Sequence, residues 1–162
     1  MQDELRQVYE RFGFIRPPRL RIPVAEPTFD SEGKDLHVSP LQVALASAAF
    51  SNHGTLPAPR IATAVNTPND GWVVLPALGE PSEALPASAA DDAAASMVME
   101  GANAWTHIGR AESEESPVTW FLTGTPPNWQ ATPLVAVVLL EEDDPRLAQQ
   151  IGQELLLDAM NP

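Results

Sequence analysis

The sequence predicts an α+β fold in which an antiparallel sheet of about five strands is packed by helices. Segments with helical periodicity alternate with short β-branched and aromatic runs. The last three of these runs are joined by short connections, which favour an antiparallel meander. Because each amphipathic helix must bury its apolar stripe, the helices are expected to cover the strands. With 162 residues, the chain is expected to form one domain spanning residues 1–162.

The composition excludes several classes of function. Without cysteine the chain has no disulfide or thiolate metal site, and its three histidines are scattered, so we expect neither a metal nor a cofactor. The net charge is −13, and residues 35–162 hold three basic and sixteen acidic side chains. Nucleic-acid binding is disfavoured because it needs a cationic face. No apolar run approaches the ~20 residues of a membrane span.

The strongest helix signal lies between Ser39 and Gly54. Ser39 can cap the helix, Pro40 suits its first turn, and Gln42 completes a capping box. Gly54 is expected to end the helix in the left-handed conformation. Helical spacing predicts a buried stripe made of Leu41, Ala44, Leu45, Ala48 and Ala49.

Three other segments have helical signals. The first runs from Asp3 to a stop at Gly13, and the second runs from Ser88 to Met99 with Ser88 and Asp91 in capping-box spacing. In the last helix Asp144 is the cap and Pro145 follows it. Its predicted buried stripe consists of Leu147, Ile151 and Leu155.

The predicted strands share β-branched and aromatic residues bounded by turn residues. A hairpin with a turn at residues 67–71 comes first, and three strands follow the Ser88 helix. Residues 16–34 contain several prolines, so we expect a crossing loop with at most an edge strand at residues 20–24. The strand segments are 60–66, 72–75, 103–111, 117–123 and 134–140.

Several of these segments resemble the transpeptidase domain of penicillin-binding proteins. Ser39-Pro40-Leu41-Gln42 through Ser51-Asn52-His53-Gly54 is similar to the family's block of TPLQ, helix and ANGG. Similar matches in order are Phe12-Gly13-Phe14, Thr119-Trp120-Phe121 and the run from Leu134 to Leu140. The resemblance implies the C-terminal half of the β-lactamase/transpeptidase-like fold, with no counterpart of the preceding portion in these residues.

The catalytic motifs of that family are not matched. Its site needs a Ser-x-x-Lys, a Ser-x-Asn and a Lys-Ser/Thr-Gly strand, because the serine needs a base and the substrate carboxylate needs a cation. The chain has one lysine, Lys34, and no serine with asparagine two residues later. Lys34 closes a literal match at Ser31, but Gly33 favours a turn there and Ser39 follows too closely. We therefore predict no catalytic residue.

A degenerate counterpart of the Lys-Thr-Gly strand is predicted at His107, Ile108, Gly109 and Arg110. In this alignment histidine replaces lysine and isoleucine replaces threonine, so the strand loses a fixed cation and a hydroxyl. These four residues are the candidate ligand-binding residues. A rival alignment, Leu122-Thr123-Gly124-Thr125, also lacks lysine and is interpreted as coincidence because it follows a strand already matched.

The leading hypothesis is a non-catalytic, transpeptidase-like structural or binding module linked to peptidoglycan synthesis. The resemblance implies peptidoglycan peptide or cell-wall assembly proteins as partners, an extracytoplasmic location in a membrane-anchored parent, and an exposed surface suited to self-association. One alternative is the C-terminal half of an active D,D-transpeptidase whose Ser-x-x-Lys and Ser-x-Asn motifs lie elsewhere. A second alternative is a free-standing protein-interaction module.

Overall fold

A computed structural model describes residues 2–29, 36–98, 103–112 and 116–161. The Ser31 to Lys34 motif lies outside these residues. The predicted helices are present, and we number them in chain order as α1 Gln2–Arg11, α2 Pro40–Ser51, α3 Ala87–Ser96 and α4 Pro145–Met160. No helix in the described ranges is long and apolar enough to cross a membrane.

The strands are all antiparallel, and they form three small sheets. The five predicted strands are present, and an additional short pair joins the end of α2 to the segment before α3. The largest sheet has the order β5-β6-β7, the hairpin is β2-β3, and the short pair is β1-β4. Their bounds are β1 Thr55–Leu56, β2 Ala64–Thr67, β3 Gly71–Val74, β4 Ser82–Glu83, β5 Trp105–Ala111, β6 Val118–Gly124 and β7 Val135–Leu140.

Helix α4 covers one face of the three-stranded sheet, and α2 lies against the other face. Phe121 on β6 is fully buried and packs with Val138 and Ala148. A Cβ atom at Gly152 would lie 2.6 Å from Cε1 of Phe121, so only glycine lets α4 approach the ring this closely. The α+β class predicted from the sequence is confirmed.

The predicted buried stripe of α4 is correct at Ile151, which packs partly buried against the Phe121 cluster, and wrong at Leu147 and Leu155. Ala148, Gly152 and Leu156 are buried, whereas Leu147 and Leu155 are 38% and 54% exposed. The helix lies so close to Phe121 that Ala148 and Gly152 face the ring, whereas Leu147 and Leu155 lie outside this contact. The cap is confirmed, because Asp144 Oδ1 accepts a hydrogen bond of 2.9 Å from the Leu147 amide.

Helix α2 has the predicted capping box. The Gln42 amide donates to Ser39 Oγ at 3.3 Å, and the Ser39 amide donates to Gln42 Oε1 at 3.1 Å. Gly54 ends the helix with φ +82°, as predicted.

The predicted stripe on α2 is also wrong, because Leu41 is 36% exposed while Gln42 is only 2% exposed. Gln42 is buried because its Nε2 donates to the carbonyl oxygens of Gly13 and Arg16. It thereby ties the crossing loop to α2. Of the predicted stripe, Ala49 is buried, and the other fully buried positions on this helix are Ala46, Ser47 and Ser51.

Two local predictions around α3 and the crossing loop are wrong. Pro86 precedes α3, no side chain caps its first turn, and Asp91 instead bonds His53 Nδ1 at 2.9 Å. His53 lies just after α2, so this pair joins the end of α2 to α3. In the crossing loop, residues 20–24 form no strand. The β-type pairing of this loop is instead an isolated antiparallel bridge between Thr28 and His37.

Candidate ligand-binding strand

Strand β5 carries the four candidate residues and lies at the edge of the main sheet. It pairs with β6 on one side, and on the other side the described residues cover only its start, through Val98 and Met97. The Thr106 amide donates to the Met97 carbonyl at 3.1 Å, so the backbone N–H and C=O groups of Thr106 point away from β6. In an antiparallel strand the backbone groups of every second residue point to the same side. Those of Ile108 and Arg110 therefore also point away from β6.

The start of β5 is fixed by a buried indole. Trp105 is 1% exposed, and its Nε1 donates to Ser51 Oγ at 2.9 Å. Ser51 Oγ in turn donates to the Thr125 carbonyl at 2.8 Å, and Phe50 meets the Trp105 ring edge to face. These contacts position β5 relative to both α2 and the end of β6.

Gly124 makes this arrangement possible. A Cβ atom there would lie 2.6 Å from Ser51 Oγ and 2.7 Å from Trp105 Cζ2. Sequence reasoning did not identify Ser51, Trp105 or Gly124 as supports of the strand. The available signal was a glycine at the end of a strand, which often marks a close approach of another group.

The structure keeps the four candidate residues on one strand but divides their side chains between its two faces. Trp105 faces α2, so His107 and Gly109, two and four residues later, point to that side. Ile108 lies opposite Phe121, and Arg110 lies on the same side as Ile108. Phe121 packs against α4, so Ile108 and Arg110 belong to the α4 face.

Three of the four side-chain positions are accessible to a ligand. His107 and Arg110 are exposed, and Ile108 is 43% exposed. At Gly109 a Cβ atom would lie 3.8 Å from Cβ of Trp120, which is ordinary van der Waals contact. This position therefore leaves room for a small side chain, in contrast to Gly124.

Arg110 already has an anionic partner. Its Nε donates to Asp143 Oδ1 at 2.9 Å, and the two side chains are 61% and 49% exposed. Exposed ion pairs contribute only about 0–1 kcal/mol, so a ligand carboxylate can compete for this guanidinium. Arg110 thus lies in an exposed ion pair near the edge of the sheet.

The rival alignment at residues 122–125 lies in and just after β6. Thr123, Gly124 and Thr125 are buried, and the hydroxyl of Thr123 donates to the Trp105 carbonyl at 2.9 Å. A ligand therefore has no access to these hydroxyls.

Comparisons with known proteins give similarity in structure alone. No family model matches the sequence, and no curated protein matches it. The fold matches that of penicillin-binding protein A from M. tuberculosis, solved as an imipenem acyl-enzyme complex, with a TM-score of 0.81. The two sequences are 25% identical, and the match covers 98% of this chain and 42% of that chain. A D,D-transpeptidase domain of a peptidoglycan glycosyltransferase from Eggerthella lenta matches with a TM-score of 0.72 and 17% identity, over 99% of this chain and 48% of that one.

A further match, the apo form of penicillin-binding protein 3 from the same mycobacterium, has a TM-score of 0.71 and 14% identity over 97% of this chain and 46% of that chain. The chain thus spans less than half the length of each of these three structures. Nearly all of it superimposes on them, and the predicted resemblance is confirmed at the level of structure. The chain has the fold of penicillin-binding-protein transpeptidase domains.

Proposed function

We propose that this chain is a non-catalytic, transpeptidase-like binding module that acts in peptidoglycan synthesis. The observation that carries the proposal is the single lysine among 162 residues. Acyl transfer at a serine in this class of site uses one lysine beside the nucleophile and another on the strand that holds the substrate carboxylate. One lysine cannot fill both roles.

The exposed edge of β5 is the part of the module that we propose binds its partner. An extended peptide can add to such an edge by pairing with the outward backbone groups of Ile108 and Arg110. Arg110 would bind a ligand carboxylate, and the half-exposed Ile108 side chain would contact apolar groups. The candidate partners are a peptidoglycan peptide and cell-wall assembly proteins, outside the cytoplasm and within a membrane-anchored parent.

Fluorescent penicillin tests the absence of catalysis. The intact protein is incubated with the reagent beside penicillin-binding protein A from M. tuberculosis as a positive control, and both are resolved by denaturing electrophoresis. We expect a labelled band for the control alone. A covalent adduct on any serine of these 162 residues, located by peptide mass spectrometry, would overturn the proposal.

Peptide binding tests the role of β5. The titrant is a synthetic peptidoglycan stem peptide, followed by fluorescence anisotropy. Arg110→Ala should weaken binding roughly tenfold, since it removes a charge-assisted hydrogen bond. Arg146→Ala is the matched control, because Arg146 is also an exposed arginine but lies on α4. Equal affinity of both variants and the unchanged protein would contradict this assignment.

A second candidate function is one part of an active D,D-transpeptidase. The observation in its favour is that the chain spans only 42% of penicillin-binding protein A. In that case a serine outside these residues would carry the acyl group, and His107 would take the place of the strand lysine. Penicillin labelling of the parent protein at such a serine, lost on His107→Ala, would select this function. A free-standing interaction module would bind a protein partner and neither penicillin nor stem peptide.

A further inference from the structure

The β2-β3 hairpin presents large apolar side chains to solvent. Trp72 and Val74 are each 74% exposed, and no residue of either strand is fully buried. Cross-strand pairing places Trp72 opposite Asn66 and Val74 opposite Ala64, so both large side chains lie on the same face of the ribbon. Exposed apolar groups of this size, concentrated on one element, mark an interaction surface.

A small cleft lies at the base of this hairpin. Three loops form it, residues 19–22, 59–62 and 75–78, and the last two lead directly into β2 and out of β3. Its volume of about 130 Å³ is far below that of a pocket for a drug-sized ligand. Exposed apolar side chains line it, including Ile22 at 52% and Ile61 at 66% exposure.

The same three loops carry an unusual charge for this chain. They contain Arg19, Arg21 and Arg60 and no carboxylate, although the chain as a whole has a net charge of −13. Arg21 Nη2 donates to the Pro76 carbonyl at 3.1 Å. None of the three guanidinium groups forms an ion pair with a described carboxylate. Glu80 lines a neighbouring cleft together with Arg60, so the hairpin base keeps a net positive charge that is available to an external anion.

We propose that this hairpin and the cleft at its base form a contact surface for an anionic lipid bilayer. The three arginines would bind lipid phosphates, and Trp72 and Val74 would enter the interfacial region, where indole rings are favoured. The strong negative charge elsewhere would orient the molecule with this surface toward the bilayer.

The shape of the surface favours a bilayer over an acidic protein segment. Trp72 and Val74, the most exposed large apolar side chains among the described residues, lie on one face of the two-stranded ribbon, which suits contact with lipid headgroups. The cleft is only large enough for about one side chain or the end of an acyl chain.

Vesicle co-sedimentation tests this proposal. The intact protein is mixed with neutral phosphatidylcholine vesicles or with vesicles that also contain about 30% phosphatidylglycerol, which gives them a negative surface charge. Each mixture is prepared at low and at high salt. We expect binding to the anionic vesicles that falls with salt. Arg19→Gln with Arg60→Gln removes two charges and should reduce partitioning roughly thirtyfold. Trp72→Ala should also reduce it.

Two controls separate the surface from general effects. Arg11→Gln with Arg146→Gln removes the same charge from two exposed arginines outside both proposed binding surfaces and should leave partitioning within about twofold, and circular dichroism verifies the fold of every variant. Equal partitioning to neutral and anionic vesicles, or equal loss in both double variants, would overturn the proposal. Binding of polyglutamate in the absence of vesicle binding would instead assign the arginines to an acidic protein partner and would also overturn it.

Discussion

The three-stranded sheet and the β2-β3 hairpin are built from similar residue types but have opposite surroundings. Both contain valine and tryptophan residues in antiparallel strands. In the sheet, Trp105 is 1% exposed and Phe121 is fully buried, because helices lie on both faces. In the hairpin, Trp72 and Val74 are each 74% exposed. Apolar side chains therefore stabilise the first region, whereas in the second they are available for contacts with other molecules.

This difference separates a closely packed region of the chain from an exposed one. A two-stranded ribbon alone is marginally stable in water, so the hairpin depends on its base for order. The sheet has its own close packing, which fixes the start of β5, and the outer edge of that strand is the ligand site that we have proposed. Substitutions in the two regions should consequently differ in both the size and the kind of their effects.

The largest expected effect is on the sheet. Phe121→Ala should lower the free energy of unfolding by about 3–5 kcal/mol, because it removes a fully buried ring between β6 and α4. Trp72→Ala removes a larger ring in the hairpin and should change the same quantity by no more than about 0.5 kcal/mol. Urea unfolding followed by circular dichroism measures both. Similar losses in the two variants would mean that the hairpin is covered in solution.

Two glycines of the same sheet provide a finer comparison. Gly124→Ala should cost about 1–3 kcal/mol, since the new methyl group would collide with Ser51 and Trp105. Gly109→Ala is the matched control and should be nearly neutral, because its methyl group would make only ordinary contact with Trp120. Thermal unfolding compares the two variants directly. A larger loss at Gly109 than at Gly124 would contradict the packing described for the start of β5.

The sequence predicted the fold well where local chemistry determines it. The Ser39 and Asp144 caps act through side chains three residues or fewer from their targets, so the pattern is complete within a short segment. The turn of the hairpin and the antiparallel meander were predicted on similar grounds. The capping box at Ser88 was wrong because Pro86 already precedes the helix and Asp91 bonds a distant residue, His53.

Helix faces were harder to predict because burial depends on the distance between elements. On α4 the sequence predicts Leu147 and Leu155 to be buried, but close approach to Phe121 selects Ala148 and Gly152 for the interface. On α2 a glutamine is more buried than a leucine because the crossing loop supplies two carbonyl acceptors. Neither partner can be identified from the periodicity of the helix itself.

The candidate strand was located by resemblance, but its support was not. Ser51 and Trp105 are 54 residues apart in the sequence, so their hydrogen bond has no local signal. The pair of Arg110 with Asp143 is also nonlocal. The sequence therefore predicts which residues lie on the strand, whereas the contacts that orient them require the tertiary structure.

The smallest expected effect concerns the ion pair of Arg110 with Asp143. Asp143→Asn should change the free energy of unfolding by less than about 1 kcal/mol, because both side chains are largely exposed. If Arg110 binds ligand carboxylates as proposed, the same substitution should strengthen binding of a stem peptide by a few fold, since the guanidinium loses its competitor. Arg110→Ala should act in the opposite direction, and the double variant should bind like Arg110→Ala. Titration of the three variants measures this coupling, and independent effects of the two substitutions would show that Asp143 does not compete with the ligand.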